Sequence, residues 1–212
     1  TFSDYRYQIK NEVVGFSFNL DSKIRDVNVK TDFYQNLNSK NTLRYGLSMT
    51  YHEFTVGRLK AGSDDGEISF TAGNEYDGIE YGAYISDDWN VSPRLTLNGG
   101  LRLSAFTNDG AFYYGLEPRL ASNYKVTDKF SVKASYARMN QYVHLVSNSG
   151  ISLPTDVWYP STKLVKPQIS DQVAVGGSVL FELLGTELFF TNEYFYKWFD
   201  RQIDFIDGFG SD

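Results

Sequence analysis

Only two imidazoles, His52 and His144, and no cysteine are present among 212 residues, so any neutral-pH acid–base chemistry or soft-metal ligation would fall to these two side chains. A structural or catalytic metal needs three or four converging ligands. Glu53 adjoins His52, but successive strand residues point to opposite faces, and neither histidine has further donors at ligand spacing. The run Asp64-Asp65-Gly66-Glu67, with Glu75 and Asp77, lacks the alternate oxygens, central glycine and twelfth-position glutamate of an EF-hand loop. It reads as a solvated acidic loop. Alternation also splits Asp87 from Asp88, and Ser147, Ser149, Ser152 and Ser161 have no paired histidine–carboxylate set to activate a nucleophile. Gly99-Gly100 and Gly176-Gly177 fall inside strand-like runs, not at the strand-to-helix turns that cradle phosphate. No catalytic residue, metal site or cofactor is expected, and the chain does not read as an enzyme.

The residues that carry a pattern are those that repeat with period two. Leu95, Leu97, Gly99, Leu101, Leu103 and Ala105 share one face, while Arg94, Thr96, Asn98, Gly100, Arg102 and Ser104 share the other. The same division runs through Leu116-Glu117-Pro118-Arg119-Leu120, through Phe130, Val132, Ala134 and Tyr136 against Lys129, Ser131, Lys133 and Ser135, and through Val173, Val175, Gly177, Val179 and Phe181. No segment has a helical period. Breaks in the pattern delimit about nine strands, roughly 4–19, 23–36, 41–57, 78–91, 94–108, 115–126, 129–143, 170–183 and 186–201. Tight connections are expected at 36–41, at Ser92-Pro93, at Thr127-Asp128 and at Leu184-Gly185, alternating with longer ones at 58–78, 109–114 and 144–169. A short turn near Asp21-Ser22 is the one departure.

Alternating short turns and long loops is the footprint of an up-and-down barrel in an outer membrane, whose tight turns lie on the periplasmic side. A Greek-key sandwich has no reason to sort its loops in this way. Several of the strands run to about 14–17 residues, beyond the length usual in globular sheets. Mean hydropathy is −0.37 and no run of 18 apolar residues exists, which excludes a membrane helix but not a barrel, where only alternate residues meet lipid. Aromatics make up 17% of the chain. Tyr124, Phe130 and Trp89 lie beside tight turns, and Tyr51, Tyr194, Tyr196 and Trp198 lie toward the far ends, as two interfacial girdles would place them. Net charge is −6 with no basic cluster, which weighs against a nucleic-acid partner. The fold expected is all-β: an antiparallel up-and-down transmembrane β-barrel segment in a bacterial outer membrane. Arg94, Arg102, Glu117, Arg119, Lys125 and Lys133 are expected to face its lumen, and Leu95, Leu97, Leu101, Leu103, Val132, Val173, Val175 and Val179 its lipid. An odd strand count, a start inside a strand and an end at Gly208-Phe209-Gly210-Ser211-Asp212 read as a fragment of a larger wall.

The stretch from Ala134 to Ser161, continuing through Lys166-Pro167-Gln168-Ile169-Ser170-Asp171-Gln172, resembles the barrel of TonB-dependent receptors. The resemblance is nearest to the Bacteroidetes type with an N-terminal carboxypeptidase-regulatory-like domain. Lys23-Ile24-Arg25-Asp26 with Lys30-Thr31-Asp32-Phe33, Leu43-Arg44-Tyr45-Gly46 with Tyr51-His52-Glu53-Phe54, and Glu117-Pro118-Arg119-Leu120 fit the same family. It implies that residues 1–212 are part of a barrel of about 22 strands, with the plug, the TonB box and the C-terminal strands lying outside them. It further implies active uptake of a scarce nutrient of unknown class, with TonB, the chain's own plug and outer-membrane lipid as partners. A passive porin or lipid-transport barrel is the alternative, and a soluble β-rich binding domain a third reading.

Within the loop 144–169, Asp156, Trp158 and Tyr159 are the candidates for ligand contact, since long, proline-stiffened loops with aromatic rings suit recognition. The plainer expectation is that Leu153-Pro154 and Trp158-Tyr159-Pro160 fold the loop onto the lumen wall or the plug.

Overall fold

The structure is a computed structural model that describes residues 1–13, 16–63, 69–148 and 155–203. Eleven strands follow in chain order: β1 (Phe2–Val13), β2 (Phe16–Asn36), β3 (Asn41–Ser63), β4 (Ser69–Ser92), β5 (Leu95–Asn108), β6 (Ala111–Lys125), β7 (Phe130–Gln141), β8 (Val143–Asn148), β9 (Thr155–Pro160), β10 (Gln168–Leu183) and β11 (Thr186–Asp200). Nine of them form one antiparallel sheet in the order β1-β2-β3-β4-β5-β6-β7-β10-β11, and β8 and β9 pair as a separate hairpin. The wall is therefore a meander of nearest-neighbour pairs, the up-and-down topology of membrane barrels. The nine strands expected from the sequence are its nine staves. The hairpin is additional.

Register carries the period-two pattern across the whole sheet. Leu101 lies opposite both Ile85 and Pro118, Leu103 opposite Ala83 and Leu116, and Tyr124 opposite Leu95 and Val132. Val173 and Val175 continue the same face between Tyr136 and Ala134 on one side and Tyr196 and Tyr194 on the other. Cross-strand partners share a face, so the apolar residues of successive strands merge into one continuous band with no water-shielding layer over it. Leu101, Leu103, Leu116 and Leu120 are 42–55% exposed. Along one edge of the band the outward residues turn ionic in step: Arg25 pairs with Glu53 and Glu53 with Asp77, while Arg138 pairs with Asp171.

Three connections differ from the sequence expectation. The chain does not turn at Asp21-Ser22. Strand β2 runs straight through it, Asp21 forms an ion pair with Arg6 at 3.3 Å, and the register against β3 slips between Asp21 and Lys23. A bulge and a turn both interrupt alternation, so the two look alike in sequence. Residues 58–78 are largely strand: Leu59–Gly62 pair with Ser69–Ala72, and Val56 with Asn74. Ala61 lies opposite Phe70 and Lys60 opposite Thr71, so the faces still alternate, but the bulge between Val56 and Leu59 puts this alternation out of phase with the strand below it. Across its bulge, Gly73 has φ +118°, and a Cβ would come within 2.6 Å of the Arg58 Cα. At 109–114 the connection is only Asp109-Gly110, with φ of 23° and 74°, so two residues suffice and Phe112-Tyr113-Tyr114 belongs to β6. The acidic run at 64–67, Leu153-Pro154 and the terminal Gly208–Asp212 lie outside the described residues.

One proline shapes the wall. The β5–β6 ladder passes through Leu101 and Pro118 without interruption, whereas the β6–β7 ladder ends at Arg119 and Ala137, one residue short of it. Pro118 has no N–H to donate toward a further pair. Beyond that point β7 is free to leave β6, and the chain turns toward β8.

Candidate functional site

The β8–β9 hairpin folds back over one face of the sheet, the face carrying the even-numbered residues of β2, β4 and β5 and the odd-numbered ones of β6. Three contacts define its seat, and a fourth closes its base. The Tyr159 hydroxyl lies 3.3 Å from that of Tyr76 on β4, with the rings edge-on at 5.4 Å. Tyr113 on β6 donates to the Thr162 carbonyl at 2.7 Å. Tyr142, at the base of the hairpin, stacks on Phe106 of β5 at 5.4 Å and 7°. Finally, the N–H of Ser161 donates to the Tyr142 carbonyl at 2.7 Å, closing the hairpin's base.

Under this seat lies a buried polar network. Glu117, only 3% exposed, accepts from Ser104 Oγ at 2.6 Å, and from the backbone N–H and Nδ2 of Asn140 at 3.4 and 3.5 Å. With Ser104 so committed, the Tyr142 hydroxyl 2.8 Å away donates to Ser104. Arg102 bridges Glu80 at 3.2 Å and Glu117 at 3.7 Å, and Arg119 reaches Glu117 at 3.5 Å. Glycine makes room for this: a Cβ on Gly82 would fall 2.9 Å from an Arg102 guanidinium nitrogen, so the side chain lies flat along the wall. Further along, His52 Nδ1 sits 2.7 Å from Asp26, its ring over Phe54 and Phe106. Among the described residues no group of three or more His, Cys, Asp or Glu side chains could hold a metal ion.

Of the residues singled out from the sequence, Arg102, Glu117 and Arg119 come together in this network. Arg94, Lys125 and Lys133 lie apart from it, toward the tight-turn end, where the Lys125 N–H donates to the Arg94 carbonyl at 2.7 Å. Glu80, Ser104 and Tyr142 are additional participants. Ser104 sat on the polar face of the alternation and was legible there, whereas Glu80 was not singled out from the sequence. The position of Tyr142 depends on the chain reversing after β7, which no local pattern announces. In the hairpin, Trp158 lies opposite Leu145, and Tyr159 opposite His144. Tyr159 and His144 point toward the wall, whereas Leu145 is 44% exposed and Trp158 half-buried on the other side. The side chain of Asp156 lies outside the described residues.

Two hairpin-associated groups have displaced proton affinities, both beyond the apolar band. Tyr76 is pushed up to about 12 by its hydrogen bond to Tyr159 and by burial. Burial pushes His144 down to about 4; its Nε2 lies 3.1 Å from Ser161 Oγ and its Nδ1 has no protein partner. The folded hairpin thus holds a neutral imidazole that would protonate near 6.5 if released. Its docking is intact above pH 6.5 and weakens as pH falls toward 4, by roughly 3 kcal/mol at most. Hydrogen exchange corrected for intrinsic rate should accelerate at 143–148 and 155–160 between pH 7 and 5, with β4 and β5 unchanged. A uniform response along the chain would contradict this.

The family model described as "TonB dependent receptor-like, beta-barrel" matches residues 1–212. No curated relative matches the chain in sequence. Among solved structures it is similar to the ferric yersiniabactin uptake receptor FyuA from Yersinia pestis, at 13% identity and a TM-score of 0.64 over 92% of this chain and 32% of that one. It is also similar to the ferripyoverdine receptor of the outer membrane of Pseudomonas aeruginosa, at 19% and 0.52 over 87% and 26%. The copper transporter OprC matches at 13% and 0.51 over 79% and 28%. The chain spans about a quarter to a third of the length of these proteins.

Proposed function

Because the chain belongs to the TonB-dependent receptor β-barrel family, an outer-membrane family of transporters and not of enzymes, we propose that it is the wall segment of an energised nutrient importer. In this reading the apolar face carrying Leu95, Leu97, Leu101, Leu103, Val132, Val173, Val175 and Val179 meets lipid. The hairpin face, with Arg94, Arg102, Glu117, Arg119, Lys125 and Lys133, lines a lumen filled by the protein's own plug. Further strands beyond β1 and β11 complete a wall of about 22 staves, and a TonB box outside residues 1–212 receives the energy. The observation that carries the reading is the family match over residues 1–212. The hairpin folded over the polar face of the wall agrees with it, because it narrows the space inside.

Similarity of the 134–172 stretch to Bacteroidetes receptors supports that type, including its carboxypeptidase-regulatory-like domain. Two structural neighbours are a ferric yersiniabactin uptake receptor and a ferripyoverdine receptor, which makes a bulky metal chelate one ligand class to try first. Full-length protein in a planar bilayer should conduct almost no ions and should bind the C-terminal domain of TonB. Steady, wide conductance in the native protein would instead favour a porin. At the ligand level, Asp156, Trp158 and Tyr159 remain the candidates, with Trp158 presented away from the wall and Tyr159 bonded to it. Trp158→Ala should weaken ligand binding roughly tenfold through a lost ring contact, measured by titration of the full-length receptor. Tyr159→Phe should leave affinity nearly unchanged and loosen only the hairpin.

A further inference from the structure

We infer that a groove across the outward face of β6, β7, β10 and β11 seats one ester-linked phospholipid, gripped by Asn192. This rests on the lipid-face reading above and adds a defined site to it. Small residues interrupt the apolar band here. Ala134 stands between Ser122 and Val175 in one cross-strand row, and Gly177 between Val132 and Asn192 in the next. Rings rise around the gap: Tyr124, Phe130 and Tyr194 are 43%, 39% and 71% exposed. The resulting groove has a volume of about 550 Å³. A hydrocarbon chain lying in it gains contacts on three sides, where a flat patch of the band offers them on one.

The chemistry of the occupant follows from Asn192. The outward column of β11 is otherwise apolar or aromatic, running Leu188, Phe190, Tyr194, Tyr196 and Trp198. Asn192 leans toward β10, where its Oδ1 accepts the Gly177 N–H at 3.1 Å. Its side chain therefore lies along the groove and not at the open edge of β11, and its Nδ2 has no partner among the described residues. In hydrocarbon, with no water at hand, an amide donor left unpaired is unfavourable. An alkyl chain cannot supply the acceptor. An ester carbonyl at the head of that same chain can. Asn192 shares its cross-strand row with Tyr124, and Tyr124 and Phe130 flank the tight turn at Thr127-Asp128. The glycerol end of the lipid therefore points toward the periplasmic rim. There Lys129, exposed and without an ion pair among the described residues, suits the phosphate.

The test uses the full-length receptor with Trp89→Phe, Trp158→Phe and Trp198→Phe, carrying one reporter. The reporter is either Phe130→Trp at the groove or Leu103→Trp elsewhere on the band. Vesicles mix a diester phosphatidylcholine with brominated chains and an unbrominated dialkyl-ether phosphatidylcholine, and quenching reads which lipid touches the reporter. The Leu103→Trp reporter should follow the bulk fraction of brominated lipid. The Phe130→Trp reporter should favour the ester lipid about fivefold, the contribution of one ordinary hydrogen bond. Asn192→Leu should abolish that preference, and so should Gly177→Leu, which fills the groove. A Cβ on Gly177 meets only ordinary contacts at 3.5–3.6 Å, and heat-modifiable migration in detergent reports that each barrel has folded. Quenching that follows the bulk fraction at both reporters would overturn the groove site and leave the lipid face in place. A preference that survives Asn192→Leu would also overturn it, since the grip would lie elsewhere. A Leu103→Trp reporter that brominated lipid does not quench would overturn both.

Discussion

Leu101→Arg should destabilise the folded barrel by about 2–4 kcal/mol, the depth-dependent cost of a cation at the bilayer midplane. Leu101 sits midway along the outward column of β5, between Leu95 opposite Tyr124 at one end and Thr107 opposite Ile79 at the other. It is 42% exposed in the isolated chain, so in a membrane those contacts fall to lipid. Its cross-strand neighbours Ile85 and Pro118 offer no counter-charge. The arginine would have to reach past at least two residue pairs to find headgroups. Equilibrium unfolding of the full-length protein in phospholipid vesicles measures the cost, and Asn98→Arg on the opposite face is the internal comparison. Equal, small effects at both positions would place Leu101 in water and remove the membrane assignment of that face.

Glu117→Ala should cost about 3 kcal/mol, because breaking a buried charged pair leaves its partners uncompensated. Arg102 would keep only Glu80, and Ser104 and Asn140 would lose their shared acceptor. The effect should concentrate where β7 departs from β6. Past Pro118 the ladder between those strands has ended, and the Glu117 carboxylate accepts the Asn140 N–H in place of a backbone partner. Hydrogen exchange should rise at 138–148 and leave β3–β4 protected. Glu117→Gln, which keeps one acceptor oxygen, should recover part of the loss. If Glu117→Ala and Glu117→Gln both leave the hairpin as protected as in wild type, Glu117 does not hold it.

These two residues mark the limits of what local pattern conveys. Leu101 could be assigned to a face from residues 95–105 alone, because a strand fixes which way each side chain points once one is known. Glu117 was visible as a polar residue in a strand, but its four partners come from β5, β6 and the end of β7. Their meeting depends on register and on where a ladder stops. The bulge at Asp21-Ser22 was read as a turn, and the extension at 58–78 as a loop, for one reason. A bulge shifts the alternation just as a turn interrupts it, and only pairing with a neighbour separates the two.

The sequence by itself determined the strand type, the number of staves, the two faces and the tight turns at 92–94, 126–129 and 184–185, since these follow from side-chain period and turn chemistry within a few residues of each position. Tertiary structure alone decided that 143–160 returns as a hairpin across the polar face, that His144 is buried there, and that Tyr159 is turned toward Tyr76 while Trp158 is not. Those outcomes depend on contacts between residues tens of positions apart, whose energies no local window contains.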